Sequence, residues 1–299
     1  MKFAKQAELG DPSSNKQNFI NLKLKLLCCR YWSLDLWDCH DMVFPFWRIY
    51  WNKNKGGELK HQEEIYKMNP NYIYIIAPFT SFSSHFTKNH VYNTGIHVSG
   101  HHLTESYQES DFEENSLIHF FTHFNLGVPF DNVYPGIYKI ELTEHLRERL
   151  NYLTERLKIE NKDFKLTFNL KLQSFIKEAI SNIGAELWKA INIDDRVLTV
   201  LRYIEININS KLSNADLAEV VNMAPNSFAR LFKEEMNITL HNFIHKRKIA
   251  RACDLFEHTD RTIEEVTFDL GFSDRYHFSR VFKNVTGITP AVYKSGKYT

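Results

Sequence analysis

HFSRVFK (residues 277–283) repeats the pattern of SFARLFK (residues 227–233), fifty positions earlier in the chain. Both copies carry Phe, Arg, Phe and Lys at the same internal spacing. On a helix, at about 100° per residue, Phe278, Val281, Phe282 and Val285 fall in one stripe. Tyr276, Arg280 and Lys283 point the other way, flanked by His277 and Asn284. In the earlier copy Phe228, Leu231 and Phe232 form the stripe, and Asn226, Arg230 and Lys233 oppose it. One amphipathic helix with Arg and Lys outside is ordinarily a solvated face. Two copies, each with its own preceding helix and tight turn, are a stronger signal.

The preceding helices are DLAEVVN and EEVTFDLG, which end at Asn222 and Gly271, residue types that tolerate φ > 0. Ser213 with Asp216, and Thr262 with Glu265, have the capping-box spacing at the helix starts. A helix, a tight turn and a second helix with a polar, basic outer face is the helix-turn-helix arrangement. Its second helix can enter a major groove about 12 Å wide, where Arg matches guanine and Lys suits phosphate. Residues 239–256, between the units, would span ~27 Å as one helix, close to the ~34 Å between major grooves on one face of DNA. HKRK (residues 245–248) adds positive charge near the middle of that connector. The formal net charge of the whole chain is only +1, so a basic face has to arise by placement rather than by excess.

Residues 197–293 resemble the DNA-binding domain of the AraC/XylS family of bacterial transcription regulators, and LGFSDRYHFSRVFKNVTGITPAVY is the most specific part. The resemblance implies two helix-turn-helix units, joined by a long helix, that read consecutive major grooves. By position it gives base-facing roles to Asn226, Ala229 and Arg230 in the first unit, and to Arg275, Tyr276, Ser279 and Arg280 in the second. Lys233 and Lys283 share those outward faces. Phe272, Phe278, Phe282 and Pro290 take the packing positions. Two positions depart from the family pattern: Asn237 stands where Gly is usual, and Thr267 where Ala is usual.

The first two hundred residues have a different texture. Residues 19–140 are rich in Phe, Tyr, Trp and Ile, and WRIYWN, NYIYIIAP and SLIHFFTHFNLG read as strands between turn clusters such as NKNKGG. Short aromatic strands of this kind favour a sandwich or barrel. The region is similar to the cupin-like effector domain of the arabinose-type branch, with Asn69, Pro70 and Asn71 in a turn and LIHFFTHF as the ligand-facing strand. On that strand Leu117, His119, Phe121 and His123 share one face. An aromatic beside a hydrogen-bonding His suits a sugar or other polyol. Trp47, Arg48 and Tyr50 are candidate lining residues from WRIYWN, although Trp47 and Trp51 share a face that Arg48 and Tyr50 do not. Core packing is the competing reading for all of these residues.

HLRERLNYLTERLKIE carries Leu146, Leu150, Leu153 and Leu157 at helical spacing, which suits a core stripe or a partner helix. LKLQSFIKEAISNIGAELWKAI reads as a second helix and INIDDR as a linker. The expected fold is therefore α+β and multidomain: a cupin-like β-sandwich or barrel (1–140), a helical dimerisation and linker segment (141–194), and an all-α double helix-turn-helix domain (195–299).

The four cysteines, with no Cys-x-x-Cys pair and with Cys28 beside Cys29, read as reduced thiols of a cytoplasmic protein. Nowhere do eighteen apolar residues run together, so no membrane partner is expected. Cupins often hold iron or manganese through His and Glu, but the fourteen histidines include no His-x-His followed closely by Glu. No metal, cofactor or catalytic residue is expected, and no Ser/His/Asp, Walker or dinucleotide pattern occurs. The expected partners are double-stranded DNA, a small-molecule effector of carbohydrate type, a second copy of the chain and RNA polymerase. A metal-dependent cupin enzyme with a DNA-binding tail, and an architectural DNA-binding protein without an effector, are the alternatives.

Overall fold

A computed structural model of the chain describes residues 22–86, 96–105, 116–159, 163–185, 187–188, 194–236 and 238–295. Asn237 and His90, and the first half of the expected linker INIDDR (residues 191–193), lie outside the described residues.

The strands are β1 (Lys25–Val43), β2 (Trp47–Asn52), β3 (Glu58–His61), β4 (Glu64–Lys67), β5 (Tyr72–Ile76), β6 (Ser81–His85), β7 (Ile96–His102), β8 (Leu117–Asn125) and β9 (Ile137–Glu141). They form one curled antiparallel sheet in the order β4-β3-β6-β1-β8-β2-β5-β9, with β7 paired to β1. The sheet is a cupin-like half-barrel and not a two-sheet sandwich. The strand pattern foretold β2, β5 and β8, but it did not reveal that β1 is 19 residues long. Register shifts between Leu26 and Cys28, Leu34 and Leu36, and Cys39 and Met42 break its alternation. These bulges let one strand bend and pair in turn with β8, β7 and β6.

Every residue of WRIYWN is buried, as expected of a central strand covered on both faces. On one face Trp47, Ile49 and Trp51 join Ile73, Ile75, Phe120 and Phe124 in a core closed by α1 (Glu144–Ile159) and α2 (Leu166–Ser181). Leu146, Leu150, Leu153 and Leu157 are all 0% exposed within that core. The leucine stripe is therefore committed to the chain's own sheet and offers no free face for a partner helix. The second helix also stops at Ser181, ten residues short of the stretch read as helical.

The other sheet face carries Leu34, Trp37, Phe44, Phe46 and Tyr50, and their cluster continues into the C-terminal helices through Ile249, Ala252, Phe272 and Tyr293. Those helices are α3 (Asp195–Ile206), α4 (Asn214–Glu219), α5 (Pro225–Met236), α6 (Leu240–His258), α7 (Ile263–Asp269), α8 (Arg275–Thr286) and α9 (Pro290–Ser295). Both capping boxes form, Ser213 with Asp216 and Thr262 with Glu265. Thr267, the departure from Ala, is fully buried and donates its hydroxyl to the Ile263 carbonyl at 2.7 Å.

Candidate nucleic-acid interface and effector cavity

The two recognition helices are seated by separate aromatic cores. Phe228 and Phe232 on α5 pack with Val197, Leu201, Leu217 and Phe243, the rings of Phe232 and Phe243 lying 5.4 Å apart. Phe278 and Phe282 on α8 pack with Phe256, Phe272 and Tyr293 at ring distances of 5.2–6.4 Å. The turns before these helices use left-handed backbone at Asn222 (φ 52°) and Gly271 (φ 64°). At Gly271 a Cβ would meet the Asn209 carbonyl oxygen at 3.1 Å, so the turn needs glycine for space as well as for φ. Pro225 opens α5, and Asp274 caps α8 by accepting from the His277 amide at 2.7 Å.

With the phenylalanines inside, the opposite faces are left open. Asn226, Arg230 and Lys233 on α5 are exposed, and Ala229 is half-buried between them. On α8, Arg275, Tyr276, Arg280 and Lys283 are exposed and Ser279 is half-buried. Tyr276, 88% exposed, has no packing role at all. Arg230 lies 4.0 Å from Glu234, one helical turn on, a solvated pair that a phosphate or base edge can displace. The connector α6 is 19 residues, about 28 Å at 1.5 Å per residue.

HKRK does not serve the DNA-facing role its charge suggested. Lys246 lies over the Phe79 ring at 4.1 Å, and Arg247 pairs with Glu205 at 2.6 Å and approaches Asp131. Lys248 is buried and donates to the carbonyls of Leu270 (2.6 Å) and Ser210 (2.9 Å), which ties the turn of the second unit to the first. Burial holds its ammonium below the usual lysine range. All three cations are occupied inside the protein.

In the half-barrel, a cavity of about 590 Å³ opens between β1, β2 and β8. Arg48, Tyr50, His119, Phe121 and His123 line it. Trp47 does not: its side chain is 0% exposed on the opposite sheet face, near Phe124 and Trp188. Strand alternation separates Trp47 from Arg48, and the helices cover the tryptophan's side. The rest of the wall, including Arg30, Trp32, Trp37, Phe44 and Phe46, was not foreseen from the sequence. A period-two reading of β1 could have offered Arg30 and Trp32, but the shift between Leu34 and Leu36 takes Trp37 out of that period, and Phe44 and Phe46 lie beyond the strand.

Arg48 dominates the cavity. It is 4% exposed, its guanidinium stacks on Phe44 at 3.5 Å, and it donates to the Tyr50 hydroxyl at 2.9 Å. Among the described residues no carboxylate pairs with it, and its Nε has no hydrogen-bond partner. His119 is committed to Asn52 (Nδ1 to Oδ1, 2.6 Å) and packs on Trp37 at 4.5 Å. Burial pushes its imidazole down to about 3, so the ring is neutral. His123 is held well below the usual range by burial, then by Arg48, His119 and Arg30, and its Nε2 has no partner.

A second cavity, about 750 Å³, lies at the β1–β6–β3 side and is lined by Asp38, His40, His61, Ser84 and His85 among others. Buried Asp38 sits 3.2 Å from both His40 and His85. Among the described residues no three His, Cys, Asp or Glu side chains are grouped to hold a metal ion. No described helix is long and apolar enough to cross a membrane.

Two tight helix pairs with open, polar and basic second helices define a DNA-binding helix-turn-helix domain. The sequence profile described as "Helix-turn-helix domain" matches residues 217–296. The matched residues, about a quarter of the chain, fall almost wholly within the stretch that resembles the AraC/XylS DNA-binding domain. An uncharacterized HTH-type transcriptional regulator of Staphylococcus aureus is 32% identical over 104 residues, 35% of this chain and 14% of that protein. The regulatory protein PocR of Salmonella typhimurium is 30% identical over 101 residues, 34% of this chain and 33% of PocR. The chain thus matches a third or less of these relatives' own length. ToxT from Vibrio cholerae shares the fold across both regions, with a TM-score of 0.55 at 13% identity over 91% of this chain and 98% of ToxT. Its unsaturated fatty acid-bound form superposes with a TM-score of 0.52 at 12% identity over 94% and 97% of the two chains.

Proposed function

We propose that the chain is a sequence-specific transcription regulator whose half-barrel senses a small amphipathic anion and adjusts how two helix-turn-helix units engage adjacent major grooves. In this reading residues 1–140 are the sensor, 141–194 the helical segment and 195–299 the reader, and the chain acts on DNA in the cytoplasm rather than as an enzyme. Homodimerisation and contact with RNA polymerase rest on the family resemblance alone, because the leucine stripe is spent on the sheet. The doubled pattern of buried Phe and outward Arg carries the DNA-binding part. Asn226, Ala229, Arg230, Arg275, Tyr276, Ser279 and Arg280 would face bases, and Lys233 and Lys283 phosphates. Arg280→Ala is expected to cost specific binding ~1–3 kcal/mol. The check is a gel-shift titration on a duplex selected from a random library with the wild-type chain; unchanged affinity and selectivity would remove Arg280 from the base-reading set.

Arg48 carries the choice of effector. A sugar must replace hydrogen bonds around many hydroxyls, and each unmatched one costs free energy. The cavity wall is mostly aromatic and aliphatic, His119 is already engaged, and among the described residues no carboxylate lines it to accept from hydroxyls. What it offers is a buried guanidinium with no counter-charge among the described residues, in a fork geometry suited to a carboxylate. An apolar body with one carboxylate satisfies both features, whereas the carbohydrate suggested by the His and Phe pattern does not. The fatty-acid complex of ToxT, a protein of the same fold, is consistent with this class. The test is thermal unfolding with dodecanoate and 4-phenylbutanoate against dodecanol and a hexose panel. A carboxylate should raise the wild-type Tm and leave Arg48→Met unmoved, since a ligand stabilises only the state it binds. A shift with a hexose and with no carboxylate would reverse the assignment.

A further inference from the structure

The two strands that wall the cavity also deliver the charged contacts between the half-barrel and the DNA reader. β1 begins at Lys25, whose Nζ lies 2.6 and 2.7 Å from the two carboxylate oxygens of Asp254 on α6. β8 runs from the cavity residue His123 to Asn125, the residue paired with Lys25, and the chain then turns to Asp131. Asp131 is 2% exposed, and its carboxylate is aimed by the amides of Leu126 (2.7 Å) and Gly127 (3.0 Å). Its Oδ2, which accepts from Gly127, also faces Arg247 on α6 at 3.6 Å. Arg247 in turn holds Glu205 of α3 through two hydrogen bonds, of 2.6 and 2.9 Å.

Arg247 and Asp254 are seven residues apart, two turns and ~10.5 Å along one face of α6. Their charges are opposite, and so are those of Lys25 and Asp131. A slide or reversal of the helix would set like charges together, so the pairs define one register in a way the neighbouring apolar contact, Phe44 on Tyr293, does not.

We propose that Lys25–Asp254 and Asp131–Arg247 form a two-point ionic clasp through which the cavity strands hold the connector helix, so that a change in the cavity reaches both recognition helices along α6. The proposal rests on the sensor-and-reader reading above and specifies how the two parts are coupled. The clasp acts at the backbone of the reader and leaves the outward faces of α5 and α8 open. Through Glu205 it grips α3 of the first unit, and through α6 it sets the position of the second. A cavity ligand that spreads or tightens β1 against β8 shifts both clasp points together, which biases one arrangement of the reader over another.

The experiment uses the full chain with Lys25→Glu and the swapped pair Lys25→Glu/Asp254→Lys. Lys25 is about half exposed, so the single change is compatible with folding, which circular dichroism verifies. Hydrogen exchange reports α6 directly, and anisotropy measures affinity for the duplex selected with the wild-type chain. The single variant should speed exchange in α6 and alter duplex affinity by about fivefold or more, and the swap should return both towards wild type. Unchanged α6 exchange in Lys25→Glu, or a swap no better than the single variant, overturns the clasp. If the wild-type chain selects no duplex, the DNA reading fails separately and exchange alone decides the clasp. Dodecanoate added to wild type and to Lys25→Glu separates the ligand question. An effect on α6 in both chains alike would show that coupling bypasses the clasp and overturn it. No binding to either would count against the anion reading alone, leaving the exchange comparison of the two variants to decide.

Discussion

Phe278→Ala is expected to destabilise the second helix-turn-helix unit by about 3–5 kcal/mol, the usual cost of emptying a buried aromatic site. Phe278 is fully buried, and its ring meets Phe272, Phe282 and Phe256 at 5.2, 5.6 and 6.4 Å. Losing it removes both apolar burial and the edge-to-face contacts that hold α8 at its angle. The first unit should survive, because Phe228, Phe232 and Phe243 form a separate core. Urea unfolding followed by circular dichroism and by a probe on each unit measures the cost. A loss below ~1 kcal/mol would show that the aromatic cluster does not seat the helix. Tyr276→Ala is the contrasting control: this exposed side chain should change stability by no more than about 0.5 kcal/mol while altering duplex selection.

Acidification is expected to destabilise the half-barrel in a window where carboxylates contribute little. His119 is buried, neutral and lowered to about 3, against ~6.5 for a free imidazole. In the unfolded chain the ring takes a proton as pH falls through ~6.5, and in the folded protein it does not. The folded state therefore binds fewer protons. The stability this group contributes is complete above ~6.5 and lost progressively below it, at about 1.4 kcal/mol per pH unit. From pH 6.5 to 5.0 the loss is ~2 kcal/mol from His119, and His123 acts in the same direction. Denaturant midpoints across that range measure the slope, and His119→Gln should flatten it. A slope unaffected by that substitution would mean that the ring titrates in the folded protein.

The reader was legible because its information is local. The spacing of Phe278, Val281 and Phe282, the caps at Ser213 and Thr262 and the turns at Asn222 and Gly271 each lie within a few residues of what they specify. Helical periodicity converts that spacing directly into a buried face and an exposed face. The half-barrel was legible only as strands. Alternation along WRIYWN separates Trp47 from Arg48 but does not say which side α1 and α2 will cover, so Trp47 was placed with the cavity and lies against Trp188 instead. In β1, three register shifts disrupt the alternation that would have grouped Arg30, Trp32 and Trp37 as cavity wall, and Phe44 and Phe46 come from the turn between β1 and β2, where no period applies.

Charge was the least legible property of all. HKRK reads as a basic patch for DNA, yet its Lys246, Arg247 and Lys248 are taken up by Phe79, by Glu205 with Asp131, and by the carbonyls of Ser210 and Leu270. All of those partners are distant in sequence, and a cation's availability depends on what reaches it after folding. The same holds in reverse for Arg48, which the sequence offers only as one candidate lining residue among several; burial without a counter-charge among the described residues makes it the anchor of the proposed anion site. The sequence by itself therefore determined that two readers exist and which faces they turn outward, because a helix's faces follow from residue spacing. Only the tertiary structure decided which charges are free for a ligand and which bind sensor to reader, because burial and pairing are made by residues that the chain brings together from far apart.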